Sequence, residues 1–319
     1  MNNLKKIGLT ALAGTLVSVS ANAADLSVTG GASLSFAGEE KQLTGNGWSM
    51  NNGVTFSASV EQDNGWTITA TQILNDDDVA SDRVFDTRSL GIDMGDAGTL
   101  TFYGTGGSGA VSAIDDTTPT AGEESWDDVT GADVAPSGPT GNNMFHYTKD
   151  MSNMLDGLSV TASFTPSDKA VEIESSSDYA VKYTGIDGLT LGFGQGEDNG
   201  EGATASVETD VIYANFATEM GISVGYTASE ADSNATNADK EMTAMGISYA
   251  MSEDMSVSYN ISEIEFENST LSDQEATGIS VSYTMGSLSI KANHNTVDNI
   301  AGTSTDDRSG YALTLGFTF

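Results

Sequence analysis

The stretch TGISVSYTMGSLSIKANH, residues 277–294, decides the fold. Ile279, Val281 and Tyr283 share one parity, and beyond Gly286-Ser287 the residues Leu288, Ile290 and Ala292 share another, with Ser, Thr, Lys and Asn between them. Such alternation puts apolar side chains on one face of a strand and polar ones on the other. Two strands so patterned and joined by a short glycine turn form an antiparallel hairpin with two unlike faces.

The same pattern repeats in both directions. Toward the C-terminus lies GYALTLGFTF (310–319), and backward run MSVSYNIS (255–262), MTAMGISYA (242–250), ISVGYTAS (222–229), ETDVIYANFAT (208–218), LTLGFG (189–194), SDYAVKYT (177–184), LSVTASF (158–164) and NMFHYTK (143–149). Five more precede a long interruption: DLSVTGGASLSFA (25–37), VTFSASVEQ (54–62), WTITATQIL (66–74), SLGIDM (89–94) and TLTFYG (99–104). The count is sixteen, and short connections such as 62–65, 95–98, 185–188 and 252–255 alternate with longer ones. Tight turns at one rim and long loops at the other, on an even number of strands near the length that crosses a bilayer at a tilt, predict an all-β, sixteen-stranded antiparallel transmembrane barrel. Closure satisfies every backbone group and removes the sheet edges. A soluble β-sandwich accommodates the alternation but gives no reason for Trp66, Tyr147, Tyr249, Phe317 and Phe319 to fall beside short turns or the terminus.

Composition agrees. The start MNNLKKIGLTALAGTLVSVSANA, with Lys5 and Lys6 before an apolar run and Ala21-Asn22-Ala23 at its end, predicts a signal peptide over 1–23 and a mature barrel over 24–319. No later run approaches the roughly 18 apolar residues of a membrane helix. There are no cysteines, which excludes a disulfide-stapled fold and thiolate metal sites. A formal net charge of −35, with 46 acidic residues against 11 basic ones, argues against nucleic acid as a partner.

The interruption is the segment 105–141, TGGSGAVSAIDDTTPTAGEESWDDVTGADVAPSGPTG, which holds no Lys or Arg. A structureless connection of that length is unusual unless it is functional. As an inward-folded loop it would line the pore with Asp115, Asp116, Glu123, Glu124, Asp127, Asp128 and Asp133, and such carboxylates concentrate cations. On the wall, alternation turns Glu61, His146, Lys182, Glu208, Asp210 and Lys291 toward the lumen, with Lys182 and Lys291 as candidate basic partners of the loop acids. Gly104 to Gly109 matches G-x-G-x-x-G, but no helical period follows to receive a pyrophosphate, so the glycines are read as a bend off the strand. Asp76, Asp77, Asp78, Glu197, Asp198, Asp306 and Asp307 fall in long loops and could take Ca²⁺ or Mg²⁺, bridging the rim to lipopolysaccharide phosphates; no other cofactor is expected. His146 and His294 belong to no recognisable catalytic set, so no enzymatic activity is expected.

The opening ADLSVTGGASLSFAG, the block GNGWSMNNGVTFSASVEQDNGWT, the pair DTRSLGIDMGDAGTLTFYGTGG, the run NNMFHYTKDMSNMLDGLSVTASF and the terminal GYALTLGFTF together resemble the alphaproteobacterial, Rhodobacter-like general diffusion porins of the Gram-negative outer membrane. The resemblance implies a trimeric barrel whose third outer loop narrows the channel, passing small hydrophilic solutes and ions. It also makes Tyr311, Phe317 and Phe319 similar to the terminal signal read by outer-membrane assembly machinery. Such porins commonly set arginines opposite an acidic loop. Here only Arg83, Arg88 and Arg308 exist, with Arg88 on the outward parity and the others in loops, so an acidic constriction with few basic partners is expected. Two alternatives stand beside a cation-preferring passive channel. A substrate-specific channel would show block by one solute, and an exported β-rich adhesin would be extractable without detergent.

Overall fold

The computed structural model describes residues 24–40, 45–75, 85–167, 174–199 and 206–319. The predicted signal peptide, Asp76, Asp77, Asp78 and Arg83 lie outside these residues. The strands are β1 (Asp25–Glu39), β2 (Trp48–Glu61), β3 (Thr67–Asn75), β4 (Thr87–Asp93), β5 (Thr99–Thr105), β6 (Gly107–Ser108), β7 (Thr140–Gly141), β8 (Met144–Asp150) and β9 (Leu158–Thr165). They continue as β10 (Ser176–Ile186), β11 (Leu189–Asn199), β12 (Ser206–Ala217), β13 (Ile222–Ser233), β14 (Lys240–Ala250), β15 (Met255–Phe266), β16 (Gln274–Met285), β17 (Leu288–Asp298) and β18 (Arg308–Thr318). Sixteen of them close an antiparallel barrel, in which β1 pairs with β18 and β5 with β8; β6 and β7 form a separate two-stranded neck. Closure is completed beyond the last ladder by Gly30 and Phe319, which exchange backbone bonds of 2.8 and 2.9 Å.

Along the lower part of each strand the expected parity holds. Val28, Phe56, Leu90, Phe193, Ile247, Tyr259, Ile279 and Leu313 are exposed on the outer face. An outward apolar belt closed into a barrel has no edge left to pair, which is the only arrangement a sheet can adopt in hydrocarbon.

Higher up, on the side of the long outer connections, the parity of hydrophobicity reverses on β12 to β17. Val211, Tyr213, Met242, Ala244, Ile264, Ala276 and Val297 are buried and point inward. The outward positions of the same strand segments carry carboxylates instead. Glu208 stands opposite Glu197 and Asp232, Glu230 opposite Asp210 and Glu241, Glu265 opposite Glu241, and Glu275 opposite Glu263 and Asp298. These strands run past the end of the readable alternation, as β15 does through Ser262-Glu263-Ile264-Glu265-Phe266. The reversal has one cause: on this half of the barrel something apolar lies against the inner wall.

Candidate functional site: the inward loop

That layer is the long segment itself. It leaves β5 at Gly106, whose φ of 67° places it in the left-handed region and whose Cβ would strike Thr87 Oγ1 and the Asp86 carbonyl. It passes through the β6–β7 neck and turns inward. No helix follows, so the glycines act as a bend, in line with the sequence.

Asp178 on β10 fastens the base. Only 5 % exposed, it accepts the Val111 N–H at 2.8 Å and the Ser163 hydroxyl. Ala110, Val111 and Ile114 then pack on Ala180, Val211 and Tyr213. From there the loop crosses β12 to β18 on a track in which a glycine on one strand faces an asparagine on the next. The pairs are Asn215 with Gly225, Gly246 with Asn260, and Asn295 with both Gly278 and Gly310. Each glycine clears space: a Cβ on Gly225 or Gly246 would meet Pro119, one on Gly278 would meet Ser125, and one on Gly310 would meet the Asp128 carbonyl. Each asparagine fills a backbone acceptor that the loop has no helix or sheet to satisfy. Asn215 donates to Thr117 O at 2.6 Å, Asn260 to Pro119 O at 3.0 Å, and Asn295 to both Glu124 O and Asp127 O at 2.8 Å. Serines on β15 add further bonds: Ser258 accepts the Ala121 N–H and Ser262 pairs with the Ser125 hydroxyl.

The loop turns back beside β18 and β1, where Thr130 N donates to Glu39 at 3.2 Å. The return leg is pinned by Gln274, which accepts Asp133 N at 2.7 Å and donates to Asp133 O at 2.9 Å. Thr209 ends the leg by donating to Ser137 O at 3.1 Å. Trp126, Val129 and Ala135 from the loop and Met242, Ile264, Val297 and Ile300 from the wall and its connection form one buried cluster.

The seven loop acids do not share one environment. Asp116 and Asp128 are exposed on the loop, and the Glu123 side chain is 45 % exposed. Asp115 is buried, which corrects its expected place on the pore surface. Burial pushes its carboxyl up to about 6, partly offset by a hydrogen bond from Ser137. Glu123, Glu124 and Asp127 bring carboxylate oxygens within 4.8 Å of one another. Burial, then the hydrogen bond with Asp127 and the charges of Asp127 and Asp116, push Glu124 up to about 8. Burial raises Asp127 as well. Two close carboxyls removed from water cannot both ionise cheaply, so the second charge of the pair is disfavoured and the loop is less acidic than its sequence suggests. Asp133 is neutralised by Lys240 at 2.5 Å.

On the wall, Glu61 and His146 keep the inward parity, His146 with its ring set edge-on to Tyr103 at 6.1 Å. Lys291 reaches Glu123 at 3.5 Å, as one of the two expected basic partners. Lys182 is exposed on the inward parity of β10, and among the described residues it forms no ion pair. Glu208 and Asp210 point outward, contrary to the alternation reading, because Val211 and Tyr213 are needed inward to cover the loop. Arg308 is not a loop residue but the first of β18, holding Glu39 at 2.7 Å and Asp306 at 3.0 Å with its side chain 9 % exposed. Asp307 accepts Asn299 N at 3.1 Å. Lys182, Lys240, Lys291 and Arg308 all stand on the loop-bearing half, β10 to β18. The facing wall, β1 to β5, shows the lumen Ser33, Thr55, Ser57, Thr71 and Thr101, and among its described inward residues there is no Lys or Arg.

Comparison with known proteins places this architecture. The family described as Gram-negative porin matches residues 8–319. Sequence comparison with curated proteins finds no match. Among solved structures the chain is similar to the anion-selective porin of Comamonas acidovorans, with a TM-score of 0.71 at 11 % identity over 93 % of this chain and 100 % of that one. It is also similar to a loop-deletion variant of the Vibrio cholerae outer-membrane protein OmpT, with a TM-score of 0.68 at 14 % identity over 93 % and 99 %. A triple mutant of Rhodopseudomonas blastica porin superposes with a TM-score of 0.66 at 14 % identity over 92 % and 100 %. At such identities the likeness shows the fold, while the family match spans nearly the whole sequence: the chain belongs to the Gram-negative porins and forms a β-barrel channel of the outer membrane.

Proposed function

We propose that this porin is a passive, water-filled channel for small hydrophilic solutes, narrowed by the inward loop and favouring cations. The observation that carries this is the placement of charge. Asp116, Glu123 and Asp128 are exposed or half-exposed on the loop, Glu123 beside Lys291 and Asp128 beside Asn293, and the described inward residues of β1 to β5 include no Lys or Arg. Fixed carboxylates in a narrow passage bounded by low-dielectric walls raise the local concentration of cations and deplete anions. The similar Comamonas porin is named anion-selective; the preference is set by side chains on a shared barrel, not by the barrel. Reconstitution in a planar bilayer under a potassium chloride gradient tests it. A reversal potential of the cation sign is expected, and one of the anion sign refutes the charge assignment.

The assembly is proposed to be a homotrimer, as is usual among porins, seated on the outer faces of β1 to β5, where the belt of outward carboxylates is missing. On β11 to β17 those carboxylates face one another directly across strands. Like charges so placed repel, and Ca²⁺ or Mg²⁺ shared with lipopolysaccharide phosphates would relieve the repulsion. Chelation should then lower the temperature at which the oligomer dissociates in mild detergent. Tyr311, Phe317 and Phe319, exposed on the closing strand and at its end, are proposed as the residues read by the assembly machinery.

A further inference from the structure

The half of the lumen that the loop leaves bare has a chemistry of its own. On β1 to β5, and on β18 past Gly310 where the loop no longer lies on it, nearly every inward position in mid-strand is Ser, Thr, Gly or Asn. The hydroxyls stand in cross-strand register, Thr29 opposite Thr55, Ser57 opposite Thr71 and Thr71 opposite Ser89. Neighbours touch laterally: Ser35 and Thr314 are 3.0 Å apart, and Ser57 and Thr71 3.3 Å. A hydroxyl has one donor and two acceptor sites, so after one lateral bond each can still serve a solute. Around the barrel β1 to β5 lie across from β11 to β15, against which the part of the loop just after Asp116 is laid through Asn215 and Asn260.

We infer that the channel favours small cations rich in hydroxyl groups, protonated amino sugars above all, over alkylammonium ions of equal charge and similar size. The inference rests on the passive-channel reading and adds a second selection to it. The loop sees charge. The facing wall sees whether a desolvating solute can exchange its bonds to water for bonds to hydroxyls, which a sugar ring does on several sides and an alkyl group does not. Thr55, Thr71 and Thr314 are the specificity-determining residues of that wall, and Asp116 that of the loop.

The test is solute flux into proteoliposomes of the intact porin, with glucosamine at pH 6 as the hydroxylated cation, N-acetylglucosamine as its neutral counterpart and tetraethylammonium as the cation without hydroxyls. Each flux is divided by the solute's diffusion coefficient in water. Glucosamine is expected to exceed N-acetylglucosamine by about twofold or more, the size of effect that one unit charge exerts through a water-filled pore, and tetraethylammonium by about twofold or more, the size of effect of one net hydrogen bond. The triple variant Thr55→Val, Thr71→Val, Thr314→Val, which keeps side-chain volume, should remove the advantage over tetraethylammonium and keep the advantage over N-acetylglucosamine. Equal wild-type fluxes of glucosamine and tetraethylammonium, or a ratio unchanged in the triple variant, overturn the inference. Should the variant not assemble, the wild-type comparison alone decides. Absence of flux for all three solutes together with absence of ion conductance would instead defeat the channel reading.

Discussion

Glu123 and Lys291 offer the sharpest check on where charge sits in the lumen. Their charged atoms are 3.5 Å apart, with side chains 45 % and 44 % exposed, so they face the passage as a pair of zero net charge. Glu123→Gln adds a net positive charge to the constriction, and Lys291→Met adds a net negative one. An ion passing about 5 Å away in a water-like dielectric feels about 0.8 kcal/mol from one unit charge. A Debye length of about 10 Å at 0.1 M salt cuts that to about 0.5 kcal/mol, roughly a twofold change in local ion concentration. Cations and anions shift in opposite senses, so the permeability ratio should move about fivefold in each single variant. Reversal potentials across a planar bilayer read this directly: Glu123→Gln should lower the cation preference, Lys291→Met raise it, and the double variant return close to wild type. Unchanged single variants would place the pair away from the ion path. A double variant as displaced as either single one would refute the pairing.

Other outcomes follow from the same contacts. Asp178→Asn removes a buried charge from the base of the loop, where each hydrogen bond to an ionised acceptor is worth about 1.5–3 kcal/mol; protease cleavage within 110–138 should speed up while the barrel's melting temperature stays put. Gly310→Ala forces the loop away from β18 because its Cβ meets the Asp128 carbonyl, and the single-channel conductance should change and become noisier. Asp115 and Glu124 have carboxyls raised to about 6 and about 8. Their favourable burial is therefore complete below ordinary carboxylate values and is lost as pH rises through those figures. Between pH 5 and 9 cation preference should rise and protection of the loop from protease should fall. Ile279→Lys, on the lipid-facing parity of β16, should destabilise the barrel by about 2–4 kcal/mol in a urea titration with lipid vesicles.

The barrel was legible because its signal is simple. Every strand from Leu26 to Phe317 obeys one alternation wherever the outside is lipid and the inside is water. The loop's acidity and position were legible for the same reason. What escaped was the half of the wall that touches protein on its inner side. There Val211, Met242, Ile264 and Val297 are apolar on the opposite parity, so a rule tuned to lipid turned Glu208 and Asp210 inward. A signal was nevertheless present: Gly225, Gly246, Gly278 and Gly310 recur at inward positions beside Asn215, Asn260 and Asn295, a spacing that marks close approach of another backbone. The raised carboxyls of Glu124 and Asp127 could not be read, because they depend on distances within a segment that has no secondary-structure period.

The loop also divides the barrel mechanically. Its buried clusters bind β10, β12 and β14 to β17 from within, whereas among the described residues none of the largest fully buried side chains belongs to β1, β2, β3 or β4. One half of the wall is therefore a filled, stiff shell and the other a single layer of sheet over water, free to flex in cross-section. A pore with one soft half can keep a fixed aperture only if that half is stiffened from the outside. Association through β1 to β5 would then do more than hold subunits together: it would set the bore of each channel.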